Sequence, residues 1–243
     1  MHLSGRTLFV SDLHLDESRP AATAQLEKFL DEAVPGADAL YILGDLFEYW
    51  VGDDGLSLPF FAQVGTRLKA IALSVPTFFM HGNRDFMIAE RFARDTNIKL
   101  LDDPTVIDLY GERTVLLHGD TLCTDDHEYQ KYRAQVHDPR WQAAALQRPL
   151  AERVGIAQHL RAQSEAAKGG KDAMIMDVAE TAVHEAFEKS GCRVMIHGHT
   201  HRPYRHVHMV NGRECVRWVL ADWYSNGSYL EATPSGFRSV ELA

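Results

Sequence analysis

The chain has 243 residues, of which 45% are hydrophobic and 24% are charged, the balance of an ordinary globular protein. This composition excludes disorder, collagen-like repeats and coiled coils, and no apolar run approaches the roughly 18 residues of a membrane span. The N-terminal residues lack an apolar stretch followed by a small-residue cleavage site, so we expect no secretory signal. Three widely separated cysteines, without a C-x-x-C pair, favour a reducing cytosol over a disulfide framework.

The formal net charge is −9, from 25 basic and 34 acidic residues. A protein that binds nucleic acid normally carries the opposite sign, so we expect no nucleic-acid partner, and no motif points to an obligate protein partner. One segment departs from the average. Residues 131–171 contain eight bases against three acids, a local charge of +5 on an acidic body.

The first 120 residues alternate short apolar runs, which predict buried strands, with longer amphipathic segments, which predict helices. The predicted strands are 7–11, 39–43, 77–80 and 114–117, and the predicted helices are 21–34, 58–72 and 86–95. Residues 98–110 predict two short strands around a turn. Such alternation implies a largely parallel sheet with helices on its faces.

Residues from about 125 to 189 contain no convincing strand and predict several helices, broken at Pro139, Pro149 and Gly169. Strands return at 193–196, 204–210, 214–220, 228–232 and 237–242, with a hairpin signal at Asn211-Gly212. We therefore expect a single α/β domain over residues 1–243, interrupted by a helical insertion at approximately 125–189.

Five predicted strands end in polar residues. These strand ends are Ser11-Asp12-Leu13-His14, Gly44-Asp45, His81-Gly82-Asn83-Arg84-Asp85, His118-Gly119-Asp120 and His197-Gly198-His199-Thr200-His201. Because sites in open α/β sheets form beyond the carboxyl ends of the strands, we expect these side chains to meet.

Imidazole nitrogens mixed with carboxylate and amide oxygens are ligands for Mn, Fe or Zn. Each motif alone is weak, because D-x-H is often a turn and H-x-H recurs at His206-Val207-His208, on what reads as an exposed strand. The ordered set at five strand ends is what predicts a metal site. Seven candidate ligands exceed the need of one ion, so two ions sharing a bridging carboxylate use them economically, an arrangement suited to phosphoryl displacement.

The ordered set resembles the calcineurin-like metallophosphoesterase superfamily, whose fold is a two-sheet sandwich flanked by helices. The resemblance implies that Asp45 bridges two metals and that Arg84 stands where most members have a leaving-group histidine. Because arginine does not give up its proton at working pH, we expect Arg84 to act as a fixed positive clamp on phosphate. The resemblance assigns one metal to Asp12, His14, Asp45 and His201, the other to Asp45, Asn83, His118 and His199, and catalytic roles to Asp45, Asn83, Arg84 and His118.

Arg84, with residues 44–48 (GDLFE) and 118–126 (HGDTLCTDD), narrows the resemblance to a family of pyrophosphatases of lipid A biosynthesis, over nearly the whole chain. That resemblance implies hydrolysis of UDP-2,3-diacylglucosamine to UMP and 2,3-diacylglucosamine 1-phosphate (lipid X), with two Mn(II) ions as cofactors. Lys168 stands where the family often has Asn or Thr. The substrate contacts that carry over are Asn83, Arg84, Asp126, Ser164, Lys168, Lys171 and His199.

A diacylated diphosphate needs an apolar cleft beside positive charge, which the predicted insertion is able to supply. Arg153 and Arg161 are expected to meet phosphate or anionic headgroups, so we expect peripheral attachment to an anionic membrane surface, the cytoplasmic face of the inner membrane. The alternatives are an ordinary core and a solvated basic face. The expected cleft residues are Trp141, Leu146, Leu150, Val154, Ile156 and Leu160.

Other readings stay open. The same fold serves phosphoesterases that act on nucleotides or phosphoproteins, and non-catalytic scaffolds, although seven intact ligands argue against a scaffold. His81, Asp85, Asp120 and His197, next to the candidate ligands, either orient them or pack in the core. The run at 47–50 either borders a nucleotide or packs.

Overall fold

The computed structural model describes residues 5–168 and 177–242. Its strands are β1 (Thr7–Val10), β2 (Ala39–Leu43), β3 (Thr77–Met80), β4 (Lys99–Leu101), β5 (Thr105–Leu109), β6 (Glu112–Leu116), β7 (Val194–His197), β8 (Tyr204–Val210), β9 (Arg213–Val219), β10 (Ser228–Thr233) and β11 (Gly236–Glu241). One sheet has the order β11-β10-β1-β2-β3-β4 and the other the order β5-β6-β7-β9-β8. Strands β1 to β4 pair in parallel, as do β6, β7 and β9, whereas the remaining pairs are antiparallel.

Helices cover both outer faces of the two sheets. They are α1 (Pro20–Lys28), which continues into a π turn at Phe29–Ala33, α2 (Pro59–Ala72), α3 (Glu90–Thr96), α4 (His127–Val136), α5 (Pro139–Leu146), α6 (Leu150–Lys168) and α7 (Glu180–Ser190). Helices α1 to α3 share a core with the first sheet, and α7 shares one with the second. The predicted α/β class, a two-sheet sandwich flanked by helices, is confirmed.

The alternation of side chains along each strand explains the layers. In β1, Leu8 and Val10 pack towards α1 and α2, whereas Phe9 packs between the sheets. In β7, Ile196 joins the core between the sheets and Met195 joins the core beneath α7. Strands β1 and β7 therefore bury both of their faces, which is why they read as nearly continuous apolar runs in the sequence.

Two details differ from the sequence prediction. The strands β4 and β5, predicted as a pair around a turn, belong to different sheets, because β4 pairs with β3 and β5 pairs with β6. Helix α3 begins at Glu90, four residues later than predicted. The carboxylate of Asp53, from a distant turn, accepts hydrogen bonds from the backbone of Ala89 (3.0 Å) and Phe92 (2.9 Å) and so caps the helix there.

Helices α4, α5 and α6 have little core of their own. Within residues 127–162, Val136 and Arg153 are the only helical residues that are buried. These helices instead border a cavity, described below. Among the described residues, no helix combines the length and the apolar composition that a bilayer crossing requires.

Candidate active site

The polar strand ends predicted from the sequence meet at one edge of the two sheets. Asp12 and His14 follow β1, Asp45 follows β2, and His199 and His201 follow β7. All five have a left-handed backbone, with φ between 50° and 69°. Such angles are rare for residues other than glycine and mark a locally strained site.

Two glycines allow the strand ends to approach each other. A Cβ atom at Gly82 would lie 2.1 Å from Asp45 Oδ1, and one at Gly198 would lie 2.2 Å from Asp12 Oδ2. Real Cβ atoms do not come so close. The glycines that precede Asn83 and His199 in their motifs are therefore required by the packing of the carboxylates behind them.

The first group of candidate ligands contains Asp12, His14 and His201. The Nε2 atoms of the two imidazoles lie 3.2 Å apart, and Asp12 Oδ1 lies 3.3 Å from His201 Nε2 and 3.8 Å from His14 Nε2. The other oxygen of Asp12 accepts hydrogen bonds from the Ser11 hydroxyl and the His199 backbone, at 2.6 and 2.8 Å. One oxygen is thus held by the protein and the other faces the two imidazoles.

The second group contains Asn83, His118 and His199. The side-chain oxygen of Asn83 lies 3.2 Å from His118 Nε2 and 2.9 Å from His199 Nδ1. Nδ1 of His118 donates to the Leu43 carbonyl at 2.8 Å, because a carbonyl oxygen only accepts. In the neutral ring the lone pair of His118 Nε2 is therefore directed towards the group.

Asp45 lies between the two groups. Its Oδ2 atom is 3.8 Å from His14 Nε2, and its Oδ1 atom is 3.8 Å from His118 Nε2. The backbone N–H of Arg84 donates to Oδ1 at 2.8 Å and fixes the orientation of the carboxylate. All seven residues predicted as metal ligands are therefore brought together, with Asp45 facing both groups.

The donor set fits divalent cations. Asp12 Oδ1 is buried and accepts no hydrogen bond, although it faces two imidazoles. His118 Nε2 faces the Asn83 oxygen and the Asp45 carboxylate, and these acceptors are satisfied either by a proton on that nitrogen or by a bound cation. Nitrogen and oxygen donors in this mixture suit a borderline transition ion better than Mg²⁺ or Ca²⁺.

The electrostatics of the centre favour positive charge. Burial alone would raise the pKa of Asp12, but the neighbouring His201 imidazole, 3.3 Å away, holds it well below its usual range. Burial alone would lower the pKa of His118, but the carboxylates of Asp45 and Asp12 raise it to about 9. Burial, followed by the charge of His118, lowers the pKa of His199 to about 4. The carboxylates therefore attract a cation, and His199 presents an unprotonated nitrogen.

A cavity of about 930 Å³ opens from the centre towards α4, α5 and α6. Arg84 lines it, with its Nε atom 3.9 Å from Glu48 Oε1, and Asp126, at the N-terminus of α4, lines it as well. Asn83 and His199 border the same cavity. The side chains of Ser164 and Lys168 and the whole of Lys171 lie outside the described residues, so these predicted contacts are not located.

The predicted cleft residues divide into two sets. Trp141, Ile156 and Leu160 line the cavity, together with Trp50 and Phe86. The other three, Leu146, Leu150 and Val154, are not part of its walls.

The two arginines expected to meet phosphate or headgroups both line the cavity, and each is paired with a carboxylate. Arg153 is buried and bonds to Asp54 and to the Val51 carbonyl. Arg161 Nε lies 2.6 Å from Glu48 Oε1.

The structure distinguishes among the residues next to the candidate ligands that were expected either to orient those ligands or to pack in the core. Asp85 accepts hydrogen bonds from the backbone of Gly82 (2.9 Å), Asp45 (3.2 Å) and Leu46 (2.7 Å), so it holds two ligand loops together. His197 Nδ1 lies 2.8 Å from the Gly198 carbonyl, also within the site. His81 donates instead to the Ile88 carbonyl at 2.6 Å, and its ring meets that of Phe79 edge-on.

Sequence reasoning missed two neighbours of the candidate ligands, Asp222 and Tyr224, and left a third, Glu48, open as part of the run at 47–50. Glu48 contacts His14, Tyr224 stacks on the His14 ring with centroids 5.0 Å apart, and Asp222 Oδ2 lies 3.6 Å from His201 Nδ1. A signal existed only for Glu48, which stands three residues after Asp45. Asp222 and Tyr224 come from the loop after β9, where the sequence shows no pattern that would single them out.

Comparison with known families agrees with this geometry. The model of the calcineurin-like phosphoesterase family matches residues 5–203, which is most of the chain. The chain therefore belongs to the calcineurin-like phosphoesterase family, a family of hydrolases that use divalent metal ions.

Curated relatives narrow the assignment. The chain is 51% identical to the UDP-2,3-diacylglucosamine hydrolase of Xanthomonas campestris pv. campestris (strain B100), over 98% of this chain and 99% of that protein. It is 50% identical to the protein of the same name from Aromatoleum aromaticum, over 94% of each chain. Both levels of the predicted resemblance are confirmed.

Solved structures are more distant relatives. That of a novel archaeal phosphodiesterase is 14% identical, with a TM-score of 0.47 over 98% of this chain and 99% of the other. The family assignment therefore rests on the sequence relatives.

Proposed function

We propose that the protein hydrolyses the diphosphate bond of UDP-2,3-diacylglucosamine to UMP and 2,3-diacylglucosamine 1-phosphate (lipid X), a step of lipid A biosynthesis, with two Mn(II) ions as cofactors. The observation that carries the proposal is the convergence of two carboxylates, one amide and four imidazoles at one end of an apolar-walled cavity. The substrate is taken from the names of the full-length relatives.

The cavity suits a substrate that has a charged middle and apolar ends. Its walls include five of the seven candidate ligands and Arg84, and they also include Trp141, Ile156 and Leu160. A substrate that carries a diphosphate and acyl chains needs a polar and an apolar surface close together in one cavity. Volumes of about 300–1,000 Å³ are typical of small-molecule sites. A nucleotide or a phosphoprotein carries no acyl chains to cover these walls.

The two ions would be held by the two groups described above. Asp12, His14 and His201 would hold one and Asn83, His118 and His199 the other, with Asp45 shared. When bound, such ions act as Lewis acids on phosphoryl oxygens and lower the pKa of water towards about 7.

The chain's own residues bind and orient the diphosphate. Arg84 keeps its proton at working pH, so it acts as a fixed charge on the non-bridging phosphoryl oxygens, where negative charge grows during displacement. Glu48 and the backbone contact to Asp45 hold this arginine at the cavity wall. Asp126 is proposed to contact the substrate from the start of α4, Ser164 and Lys168 from α6, and Lys171 from the residues that follow α6 in the chain.

The test is hydrolysis by the purified protein with Mn(II), followed by mass spectrometry of the products. We expect UMP and lipid X, with the label in UMP when the reaction runs in ¹⁸O water, because attack is proposed at the uridine-side phosphorus. Label in lipid X would refute this regiochemistry. Equal turnover of deacylated UDP-glucosamine would indicate a generalist phosphoesterase, and no Mn-dependent hydrolysis of any diphosphate would indicate a scaffold.

The single-domain organisation is proposed on the topology. Strands β6 and β7 pair in parallel although α4 to α7 lie between them in the chain. Residues 125–189 are therefore proposed as an insertion between two neighbouring strands of one domain that spans residues 1–243.

Peripheral attachment to the cytoplasmic face of the inner membrane is also proposed. We base this proposal on apolar contact and not on charge, because Arg153 and Arg161 are paired with carboxylates. Three apolar side chains of the same region are exposed: Leu146 (48%), Ile156 (40%) and Leu160 (40%). Apolar insertion of this kind resists salt, unlike electrostatic attraction.

Leu146 provides the test, because it lies outside the cavity walls. We expect Leu146→Asp to reduce co-sedimentation with phosphatidylglycerol-containing vesicles at high salt and to spare hydrolysis of a short-chain soluble analogue. Unchanged sedimentation would refute attachment through this surface.

A further inference from the structure

Glu48 is a buried carboxylate whose side chain is 0% exposed. The backbone places it beside the candidate ligands, because its N–H donates to the Leu15 carbonyl at 3.0 Å and the Leu15 N–H donates to the Leu46 carbonyl at 2.9 Å. The segments that follow β1 and β2 therefore run side by side. This register sets Glu48 next to His14, two residues after Asp12 on the neighbouring segment.

Four groups from four parts of the chain meet at this carboxylate. Glu48 Oε2 lies 3.4 Å from His14 Nδ1 and accepts a hydrogen bond from the Tyr224 hydroxyl at 3.2 Å. Glu48 Oε1 lies 2.6 Å from Arg161 Nε, on α6, and 3.9 Å from Arg84 Nε. One oxygen thus faces the candidate metal centre and the other faces the two arginines of the cavity.

Packing alone does not explain a carboxylate here. Removing a charged group from water costs free energy unless the group is paired, and an apolar side chain of similar size fills space without that cost. The four groups named above belong to the candidate centre, to the cavity wall or to the ring that stacks on His14. The side chain is therefore placed to orient these groups.

We propose that Glu48 is a positioning residue. It fixes the His14 ring, anchors α6 through Arg161, and holds Arg84, the proposed phosphate clamp, in place. A carboxylate at Nδ1 of His14 keeps the proton on that nitrogen and leaves Nε2, which faces Asp12 and His201, as the ligand atom. The second oxygen ties the helix that borders the cavity to the same carboxylate. The inference rests on the proposed two-metal function.

The first test is calorimetric titration of the full chain with Mn²⁺ for wild type, Glu48→Gln and Glu48→Ala. Loss of an outer carboxylate partner of a metal-binding histidine weakens metal affinity by roughly 10–100-fold. We expect that loss for one of two Mn²⁺ equivalents in Glu48→Ala and a smaller loss in Glu48→Gln, which keeps an acceptor oxygen.

Glu231 offers a matched control for these variants. It is also buried and lies between two arginines, with Oε1 2.7 Å from Arg238 and Oε2 3.7 Å from Arg6, in the strand β10. We expect Glu231→Gln to bind Mn²⁺ as wild type does, whatever its stability.

The second test follows α6 by hydrogen exchange. In Glu48→Ala the amides of residues 153–162 should exchange faster, because Arg161 loses the carboxylate partner described here. Arg161→Gln should reproduce this faster exchange without weakening Mn²⁺ binding. This result would assign the exchange effect to Oε1, which faces Arg161, and the metal effect to Oε2, which faces His14.

The outcomes are distinct. If Glu48→Ala melts at a lower temperature but keeps wild-type Mn²⁺ affinity and wild-type exchange in α6, the carboxylate serves packing only and the inference is wrong. If wild type itself binds no Mn²⁺, the proposed function fails and this inference fails with it.

Discussion

Replacing Asp45 by alanine is expected to weaken the binding of both metal ions at once. The two carboxylate oxygens face different groups, each 3.8 Å from an imidazole Nε2 atom, His14 on one side and His118 on the other. Loss of a residue such as His201, which contacts Asp12 in one group only, should affect one ion. The Asp45 variant should therefore lose two ions, whereas a His201 variant should lose one.

The magnitude follows from the charge removed. Two unit charges about 4 Å apart interact by about 4 kcal/mol at an effective dielectric constant of about 20, which is a lower bound for a divalent ion. That free energy corresponds to roughly a thousandfold in affinity, applied to each ion. At micromolar Mn²⁺, Asp45→Ala should therefore contain almost no metal, and activity should be lost more completely than in any single-group variant.

Asp45→Asn sharpens the test because the structure predicts an asymmetric result. The Arg84 N–H donates to Oδ1, so the amide oxygen should stay there, on the side of His118, and the NH₂ group should face His14. We expect one Mn²⁺ equivalent to remain. Metal analysis after gel filtration at fixed Mn²⁺ measures this, and two equivalents retained in Asp45→Ala would refute the bridging role.

Three further predictions concern separate parts of the molecule. Arg84→Ala should lower turnover by about 10²–10³ with metal content unchanged, since an oriented charge on the transition state contributes roughly 3–4 kcal/mol; metal loss, or a change within twofold, would contradict the clamp role. Gly198→Ala should lose metal while far-ultraviolet circular dichroism stays native, because the new Cβ would lie 2.2 Å from Asp12 Oδ2; wild-type metal content would show that the loop adapts. Burial, followed by the charge of Arg133, lowers the pKa of His137 to about 4, so the unfolded chain binds more protons and stability should rise with pH from about 4 to 6.5. His137→Asn should flatten that rise in urea denaturation, and an identical slope would refute it.

The sheets and the candidate ligands could be predicted because their signals are local. Strand β2 was predicted at its observed bounds, Ala39–Leu43, since a strand buried on both faces is a continuous apolar run. Asp12 and Asp45 each stand two residues after the end of such a run. Parallel strands present their carboxyl ends at one edge, so the sequence predicts that these residues meet without any knowledge of distances.

Contacts between distant segments could not be predicted. Arg153 reads as a free base in a basic segment, but it is buried against Asp54, a residue about a hundred positions earlier. Asp222 faces His201 from a loop that carries no motif. The placement of β4 and β5 in different sheets also depends on distant contacts. The strand that each one pairs with, and not the turn between β4 and β5, decides to which sheet it belongs.

The strained backbone at the strand ends shows how the fold sustains the site. Each left-handed residue costs of order 1 kcal/mol or more, and five of the seven candidate ligands have such angles. The conformation is held by hydrogen bonds between neighbouring segments, in which Asp12 N donates to Gly44 O, His14 N to Asp45 O and Trp223 N to Asp12 O. Because β1 and β2 are buried on both faces, these segments have no freedom to relax the strain. The sheets therefore fix the carboxylates and imidazoles in place, and the packing of the buried strands offsets the cost of the strained backbone.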